Sequence, residues 1–461
     1  MNDMYDIFLI SDDVAGEKMA GPGIRAWELA RSLAQKFKAV LAVPDYSYKS
    51  SKPRILKNID FDVIEYSLSD SALIEETGKK SRIIIIQGYV LSKFPVIKNL
   101  PAHLICDLYV PFPLETLFIH QKKMQSLKDR EYVHLKDLSV YNDQIRHGDH
   151  FLCANLRQRD LFAGSLLSLN RINPRYLDQS PVLDSLISVV PFGISRDEPQ
   201  EKKQVKRDFL TNKFPQIQKD SVLFLWGGVI SNWFDPLTLI RAVKKAAAQN
   251  PKIKLLFLST QHANPLLPEL DMAKDAMELS GTLGLTEKHV FFNHEWVDYQ
   301  RRGEYFRAAD VGVSIHINHF ETYYSFRTRI LDYLKYELPI ICTQGDYFSE
   351  LVKERGLGLT VGSENQDDLT SAILRLAGDP QICQESKKRI RETKKSFYWE
   401  TVSEPLVKYC SKVLSGEEKK KTVPAERKEG ALKALGKKYF WFSFQKLPMK
   451  ISSKIRRFFK F

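Results

Sequence analysis

The sequence predicts an α/β protein built from two doubly wound parallel sheets, and three observations carry that prediction. Short continuous apolar runs, among them RIIIIQG at 82–88, SVLFLW at 221–226 and KIKLLFL at 252–258, read as strands covered on both faces. Between such runs lie stretches with apolar residues at helical spacing, as in GIRAWELARSLA. A chain of 461 residues that is 43% hydrophobic holds enough apolar material for two cores, because single domains run to roughly 100–200 residues.

Tyr5 to Ile10 form the first buried strand and Ile24 to Ala34 the first helix. Between them, AGPGIR carries Gly21 and Gly23, which allow close backbone approach to a ligand, and Arg25, whose place at a helix start suits an anion. A plain structural turn is the alternative. VLAVP is the next strand and RIIIIQG follows as a central one. In HLICDLYVPFPLE the strand Leu104 to Cys106 delivers Asp107 to the carboxyl edge of the sheet, with Glu115 near a helix start. A carboxylate at Asp107 can accept a proton, bond a hydroxyl, or merely serve a turn. HGDHFLCANLRQRDLF reads as loop, strand and helix, with Gln158 and Arg159 equally surface residues or ligands. ISVVPFG, at 187–193, is a strand closed by a glycine turn.

From Ser195 to Asp220 the chain is charged and poor in periodicity, and SVLFLWGG then resumes a buried strand. Gly227 and Gly228 give a close-approach loop, and Asp235-Pro236 caps a helix with proline in its first turn. KIKLLFLST and KHVFFN are further strands, and after the second Trp296 either stacks on a ligand or packs. The chemistry concentrates in HINHFETYYSFRTRILDYLKYELPIICTQGD, at 316–346, between the strands of AADVGVSI and PIICT. Doubly wound sheets bind ligands at the carboxyl ends of their strands, and Glu321, Arg327 and Arg329 fall on that rim. A carboxylate there accepts hydrogen bonds from sugar hydroxyls, while two guanidinium groups can clamp a diphosphate. Asp332, three residues past Arg329, shares its helix face and suits ribose hydroxyls. An exposed Arg329–Asp332 ion pair, with Glu321 in water, is the competing reading.

This region resembles the family-4 glycosyltransferases of GT-B fold, in which two acidic residues separated by seven others contact the donor sugar and the ribose ahead of a Gly-x-Pro turn. Counting back from Leu338-Pro339 puts the second acid on Asp332, and ten residues, not seven, separate it from Glu321. The order ET, FRTR, LDYL, LP is similar to one branch of that family, and so is GPGIRAWELARSLA followed by VLAVP. The resemblance implies that Glu321 faces the donor sugar, Asp332 the ribose, and His294 to Val297, with Trp296 and Val297, the nucleobase. Ordinary members carry an Arg and a Lys beside the position of Gly228; this chain has neither, which leaves Arg327 and Arg329 to meet the leaving diphosphate. Asp107 stands where many relatives hold a His. The implied architecture is GT-B: two Rossmann-like domains facing each other across a cleft. Its parts are an acceptor-side domain at 1–195, a hinge at 196–220, a nucleotide-sugar domain at 221–395 and a bracing helix at 396–415. The implied activity is sugar transfer from a nucleotide diphosphate, with retention of configuration and no metal or cofactor. A sugar-nucleotide epimerase and a silent sugar-nucleotide-binding scaffold are the other classes to weigh.

The net charge of +13 sits almost wholly at one end. From Lys419 onward fourteen Lys and Arg face only Glu426 and Glu429, a net of +12, so the rest of the chain is nearly neutral. Residues 416–461 therefore read as a basic tail, and Phe440, Trp441, Phe442, Phe444, Phe458 and Phe459 add aromatic bulk. Basic residues beside aromatics suit an anionic membrane interface, at about 1 kcal/mol per charge. Stacking on single-stranded nucleic acid is conceivable for such a tail, but nothing in the body supports it. The five cysteines are scattered and read as reduced. No signal peptide or membrane span is evident, so the expected location is the cytoplasm, at the inner face of the membrane, with a lipid-linked or glycan acceptor. Deleting residues 417–461 should stop the protein pelleting with anionic liposomes, while the full chain pellets at low salt and is partly released as salt screens the lysines. Equal binding of the full chain to neutral and anionic liposomes would rule this out.

Overall fold

The computed structural model describes residues 4–16, 19–45, 59–67, 71–119, 126–196, 207–261, 271–418 and 420. The chain divides into Met1–Lys421 and Thr422–Phe461; the second unit, with the basic aromatic tail, lies outside the described residues, as do parts of the hinge.

Among the described residues the first unit holds two parallel sheets. The first comprises β1 (Tyr5–Ile10), β2 (Ala39–Pro44), β3 (Asp62–Tyr66), β4 (Ser81–Gln87), β5 (His103–Asp107), β6 (His150–Cys153) and β7 (Ile187–Val189), in the order β3-β2-β1-β4-β5-β6-β7. The second comprises β8 (Val222–Trp226), β9 (Ile253–Phe257), β10 (Val290–Phe292), β11 (Val311–Ser314), β12 (Ile340–Thr343) and β13 (Gly358–Val361), in the order β10-β9-β8-β11-β12-β13. The order reverses at β1/β4 in one sheet and at β8/β11 in the other, and a doubly wound sheet opens its ligand crevice at that switch. The run of isoleucines in β4 is buried on both faces, Ile83 to Ile86 being at most 1% exposed, as a central parallel strand requires.

Each lobe has its own apolar cluster, and a third cluster is common to both. It joins Ile83 and Ile85 of the first sheet, Leu223 and Leu225 of the second, and Phe397, Trp399 and Leu406 near the end of the described chain. The helix Glu404–Ser415 returns to the first lobe, where Tyr409 stacks on His150 at 3.7 Å and Arg82 donates to the Leu414 carbonyl. Backbone bonds between Ile194 and the segment Phe397 to Trp399 tie down the crossing. Gln158 is neither a surface residue nor a ligand. It is fully buried, and its amide nitrogen donates to the Tyr109 carbonyl of its own lobe and across to the Tyr324 carbonyl of the other, 2.9 Å each.

The first helix starts earlier than its apolar period suggests, running Gly21–Ala34 with Pro22 in its opening turn. The Gly-Pro-Gly string is thus helical. Proline fits there because its missing N–H is an orphan at that position anyway. Gly23 is required for packing: a Cβ on it would lie 1.8 Å from the Val14 carbonyl oxygen, whereas one on Gly21 meets nothing within 4 Å. Gly23→Ala should therefore destabilise the protein by about 1–3 kcal/mol, and Gly21→Ala should cost clearly less, its added methyl meeting only the ring of the following Pro22. Calorimetric Tm values check this contrast; equal losses would refute it.

Candidate active site

A cavity of about 1120 Å³ opens between the carboxyl ends of the two sheets. The first lobe contributes the loop after β1, the start of the helix Gly21–Ala34 and the ends of β4 and β5. The second contributes the turn after β8, the loop after β10, and the loop and first turn around Arg329. The lobes meet across it, where the Tyr299 hydroxyl donates to Glu28 at 3.0 Å.

Gly21, Asp107, Gly227, Gly228, Trp296, Val297, Arg327, Arg329 and Asp332 line this cavity, while Gly23, Arg25 and Glu321 do not. Arg25 is fully buried and grips Asp107 with two bonds, Nε to Oδ2 at 2.6 Å and Nη2 to Oδ1 at 2.8 Å. Its remaining donors reach the Val190 and Pro191 carbonyls, and its plane lies 4.6 Å from the Tyr109 ring centre. This corrects two expectations. Arg25 engages all three guanidinium nitrogens within the protein and does not line the cavity, and Asp107, with both oxygens engaged and a further bond from Gln87 at 3.2 Å, serves as its counter-charge. Sequence could not pair them, because 82 residues separate the two.

Gly227 is fixed by its neighbours: its N–H donates to the Tyr333 hydroxyl at 2.9 Å, and a Cβ there would lie 2.7 Å from the Phe306 ring. Gly228 has φ +132°, a conformation that only glycine adopts without strain. The turn therefore brings bare backbone to the cavity wall.

The two arginines of the FRTR string differ in their electrostatics. Arg327 donates to Glu321 at 2.7 Å, and both are at most 5% exposed. Glu321 thus holds an arginine with Oε2 and does not line the cavity, where a sugar contact was expected, and its Oε1 has no hydrogen-bond partner among the described residues. His319 sits 3.7 Å from that carboxylate, yet burial drives its pKa down to about 4, so it is neutral near pH 7. Arg329, by contrast, has no carboxylate within ion-pair distance among the described residues. Its Nη2 donates to the Val229 carbonyl at 3.0 Å, its plane packs 3.9 Å from the Phe234 centre and 4.5 Å from that of Trp226, and its Nη1 has no partner. Burial lowers its pKa to about 10, which still leaves it charged at neutral pH. Asp332 accepts from Arg302 at 2.5 Å, so the i,i+3 pair with Arg329 does not form. Trp296 and Val297 are half-buried on the same wall.

Sequence gave Glu115 no role beyond a place near a helix start. It lines the cavity, and burial together with the nearby Glu321 carboxylate pushes its pKa up to about 8, against the pull of Arg327. Phe234, the aromatic face shared by both arginines, and Glu28, the partner of Tyr299 across 271 residues, carried no sequence signal at all.

Residues 220–379 match the family described as Glycosyl transferases group 1. No curated protein matches the chain. Among solved structures, Anabaena Alr3699/HepE in complex with UDP and glucose is similar at 14% identity and a TM-score of 0.62, covering 88% of this chain and 99% of that one. Sucrose-phosphate synthase from Thermosynechococcus elongatus is similar at 16% identity and 0.60, covering 89% and 99%. WaaG, a glycosyltransferase involved in lipopolysaccharide biosynthesis, is similar at 12% and 0.59, covering 89% and 100%. The two doubly wound lobes have the GT-B fold, and the second lobe with the pocket floor coincides with the group 1 match.

Glu115 carries a pH signature. Its raised pKa means that the unfolded chain loses this proton from about pH 4.5 while the folded chain keeps it to about 8, so stability falls as pH rises through that window. Glu115→Gln should match the wild type in Tm near pH 4.5 and exceed it by about 2 °C or more at pH 8. A difference that does not change with pH would refute the assignment.

Proposed function

We propose that the chain is a glycosyltransferase that moves a hexose or related sugar from a nucleotide-diphosphate sugar to a lipid-linked or glycan acceptor, in the assembly of a surface polysaccharide or glycolipid. The observation that carries the reading is Arg329. It is a buried guanidinium, packed against two aromatic rings, whose Nη1 has no hydrogen-bond partner among the described residues, on a residue that lines a cavity between two doubly wound sheets. A desolvated cation with a free donor is complementary to a phosphate oxygen, and its attraction is stronger in a dry cleft than in water. The group 1 match over residues 220–379 and the UDP and glucose in the Anabaena structure support the same reading.

In this proposal the charge that develops on the leaving diphosphate is met first by Arg329. Arg327 follows, because Glu321 already neutralises most of its charge. Asp332 and Arg302 stand as a pair beside the nucleotide, and the bare Gly227-Gly228 turn lets the phosphates approach the backbone. No metal or cofactor enters; the nucleotide sugar is substrate. With Asp107 engaged by Arg25, no carboxylate is assigned as base, and transfer proceeds with retention of configuration. The basic aromatic tail keeps the enzyme at the cytoplasmic face of an anionic membrane.

The test is a thermal-shift panel of nucleoside diphosphates, nucleotide sugars and free sugars on the wild type and on Arg329→Met. A ligand that binds only the folded state raises Tm. The unliganded variant should melt higher than the wild type, because an uncompensated buried charge has been removed. Its diphosphate affinity and turnover should fall at least about tenfold, the scale of one charged hydrogen bond. Unchanged affinity and turnover in a folded Arg329→Met protein would sink the proposal.

A further inference from the structure

We infer that Arg157, a first-lobe residue outside the cavity, is a positioning residue for the transfer: through the Tyr323 and Gly345 carbonyls it holds the second-lobe segment that carries Glu321 and Arg327. The inference rests on the glycosyltransferase reading and adds a residue that acts on the site from the opposite lobe without touching a ligand.

The first observation is where the Arg157 donors go. The residue stands in the first turn of the helix Leu156–Ser168, its side chain 13% exposed. Its side-chain contacts among the described residues lie in the second lobe. Nη1 donates to the Tyr323 and Gly345 carbonyls, 3.1 Å each, Nη2 pairs with Glu350, and the guanidinium packs 4.2 Å from the Tyr323 ring centre. The next residue, Gln158, adds its 2.9 Å bond to the Tyr324 carbonyl. None of these residues lines the cavity.

The second observation is what those bonds hold. Tyr323 and Tyr324 close the short helix Phe320–Tyr324, and the last carbonyls of a helix have no partner within it. First-lobe side chains supply the partners here. The same helix carries Glu321, which binds Arg327 at 2.7 Å, and Arg327 follows shortly after Tyr324 on the cavity wall. Gly345 is braced against the same turn: a Cβ on it would lie 3.6 Å from the Thr322 side chain. The helix from Arg329 is fixed separately, by the Tyr333 hydroxyl inside the second lobe, so Arg157 acts on Glu321 and Arg327 and less on Arg329. A shift of about 1 Å in such a segment is enough to misplace a group at a reacting centre.

The third observation is that the contact is reversible. When the lobes part, the Glu350 side chain, 60% exposed, and the Arg157 guanidinium meet water, while Gln158 keeps the Tyr109 carbonyl and the Ala154 N–H of its own lobe. None of these side chains is then buried and unpaired, so the contact forms and breaks at little cost. Approach of the lobes and setting of Arg327 are thus one event.

The experiment is hydrogen-exchange mass spectrometry on the full-length protein and on its Arg157→Met and Arg157→Lys variants, alone and titrated with UDP. Without ligand, Arg157→Met should speed exchange at 320–328 at least tenfold and leave β8, β9 and β10 within twofold of the wild type. Arg157→Lys, which keeps the charge but loses the planar fork, should fall between them. UDP should bind Arg157→Met at least threefold more weakly, because part of its binding then goes to ordering the segment. Wild-type exchange at 320–328 in a folded Arg157→Met protein, faster exchange spread evenly over the second lobe, or faster exchange with unchanged UDP affinity would each overturn the inference. Should Arg157→Met fail to fold, Arg157→Lys decides by the same comparison. A wild type that binds no UDP counts against UDP as the donor nucleotide, and exchange in the unliganded variants still decides what Arg157 holds.

Discussion

The Tyr333 hydroxyl is the fixed point of the pocket. It donates to the Val313 carbonyl at 2.6 Å, with the Leu225 carbonyl 3.1 Å away, and it accepts from the Gly227 N–H at 2.9 Å. Its ring lies so close to Gly312 that a Cβ there would be 2.3 Å from it. One buried side chain thus joins β8, β11, the glycine turn and the helix that starts at Arg329. In a low-dielectric core such bonds are strong when made and costly when left unmade, so the position of Arg329 is set from beneath by a side chain that does not itself line the cavity. Phe234 and Trp226 then fix the guanidinium from the side.

This rigidity lets the site hold charge that is unfavourable in the empty protein. Arg329 stays ionised in a buried setting with one nitrogen unpaired, Glu115 is protonated well above the usual carboxylate range, and the buried side-chain oxygens of Gln87 and Gln144 have no partners among the described residues. Each is a local loss of stability that a suitable ligand reverses, the common trade between stability and activity at binding sites. The neighbouring pairs differ in kind. Arg25–Asp107 is a two-bond pair, Arg327–Glu321 is joined by one bond that leaves Arg327 Nε and Glu321 Oε1 without partners among the described residues, and breaking either pair would strand a buried charge. In this cleft a charged residue available to a ligand differs from a structural one by whether a counter-charge was built beside it.

Much of the fold was legible in the chain. The apolar runs, the Asp235-Pro236 cap and the placing of Arg327, Arg329 and Asp332 at a strand's carboxyl edge all follow from local chemistry, since strand burial, helix capping and loop position depend on near neighbours in sequence. Even the first helix was misread by only three residues, because a Gly-Pro-Gly string reads as a turn until its proline is seen in the opening turn of a helix. Two doubly wound lobes could be expected from the alternation of buried strands and helices with two cores' worth of apolar residues, whereas the GT-B arrangement was implied by the resemblance of the 316–346 region to a known family.

What each polar side chain does was another matter. Sequence listed the charged residues of the cleft, and it established that nearly all the excess positive charge lies beyond Lys419. It did not say that Arg25 would be claimed by Asp107, that Glu321 would hold Arg327, or that Asp332 would turn to Arg302 and leave Arg329 open. Nor did it show that the side-chain oxygens of Gln87 and Gln144 would be buried without partners among the described residues. Those outcomes depend on which atoms meet within about 3 Å, where pairing and desolvation decide the state of an ionisable group. The partners lie from six to 271 residues apart, so only the packed tertiary structure could bring them together.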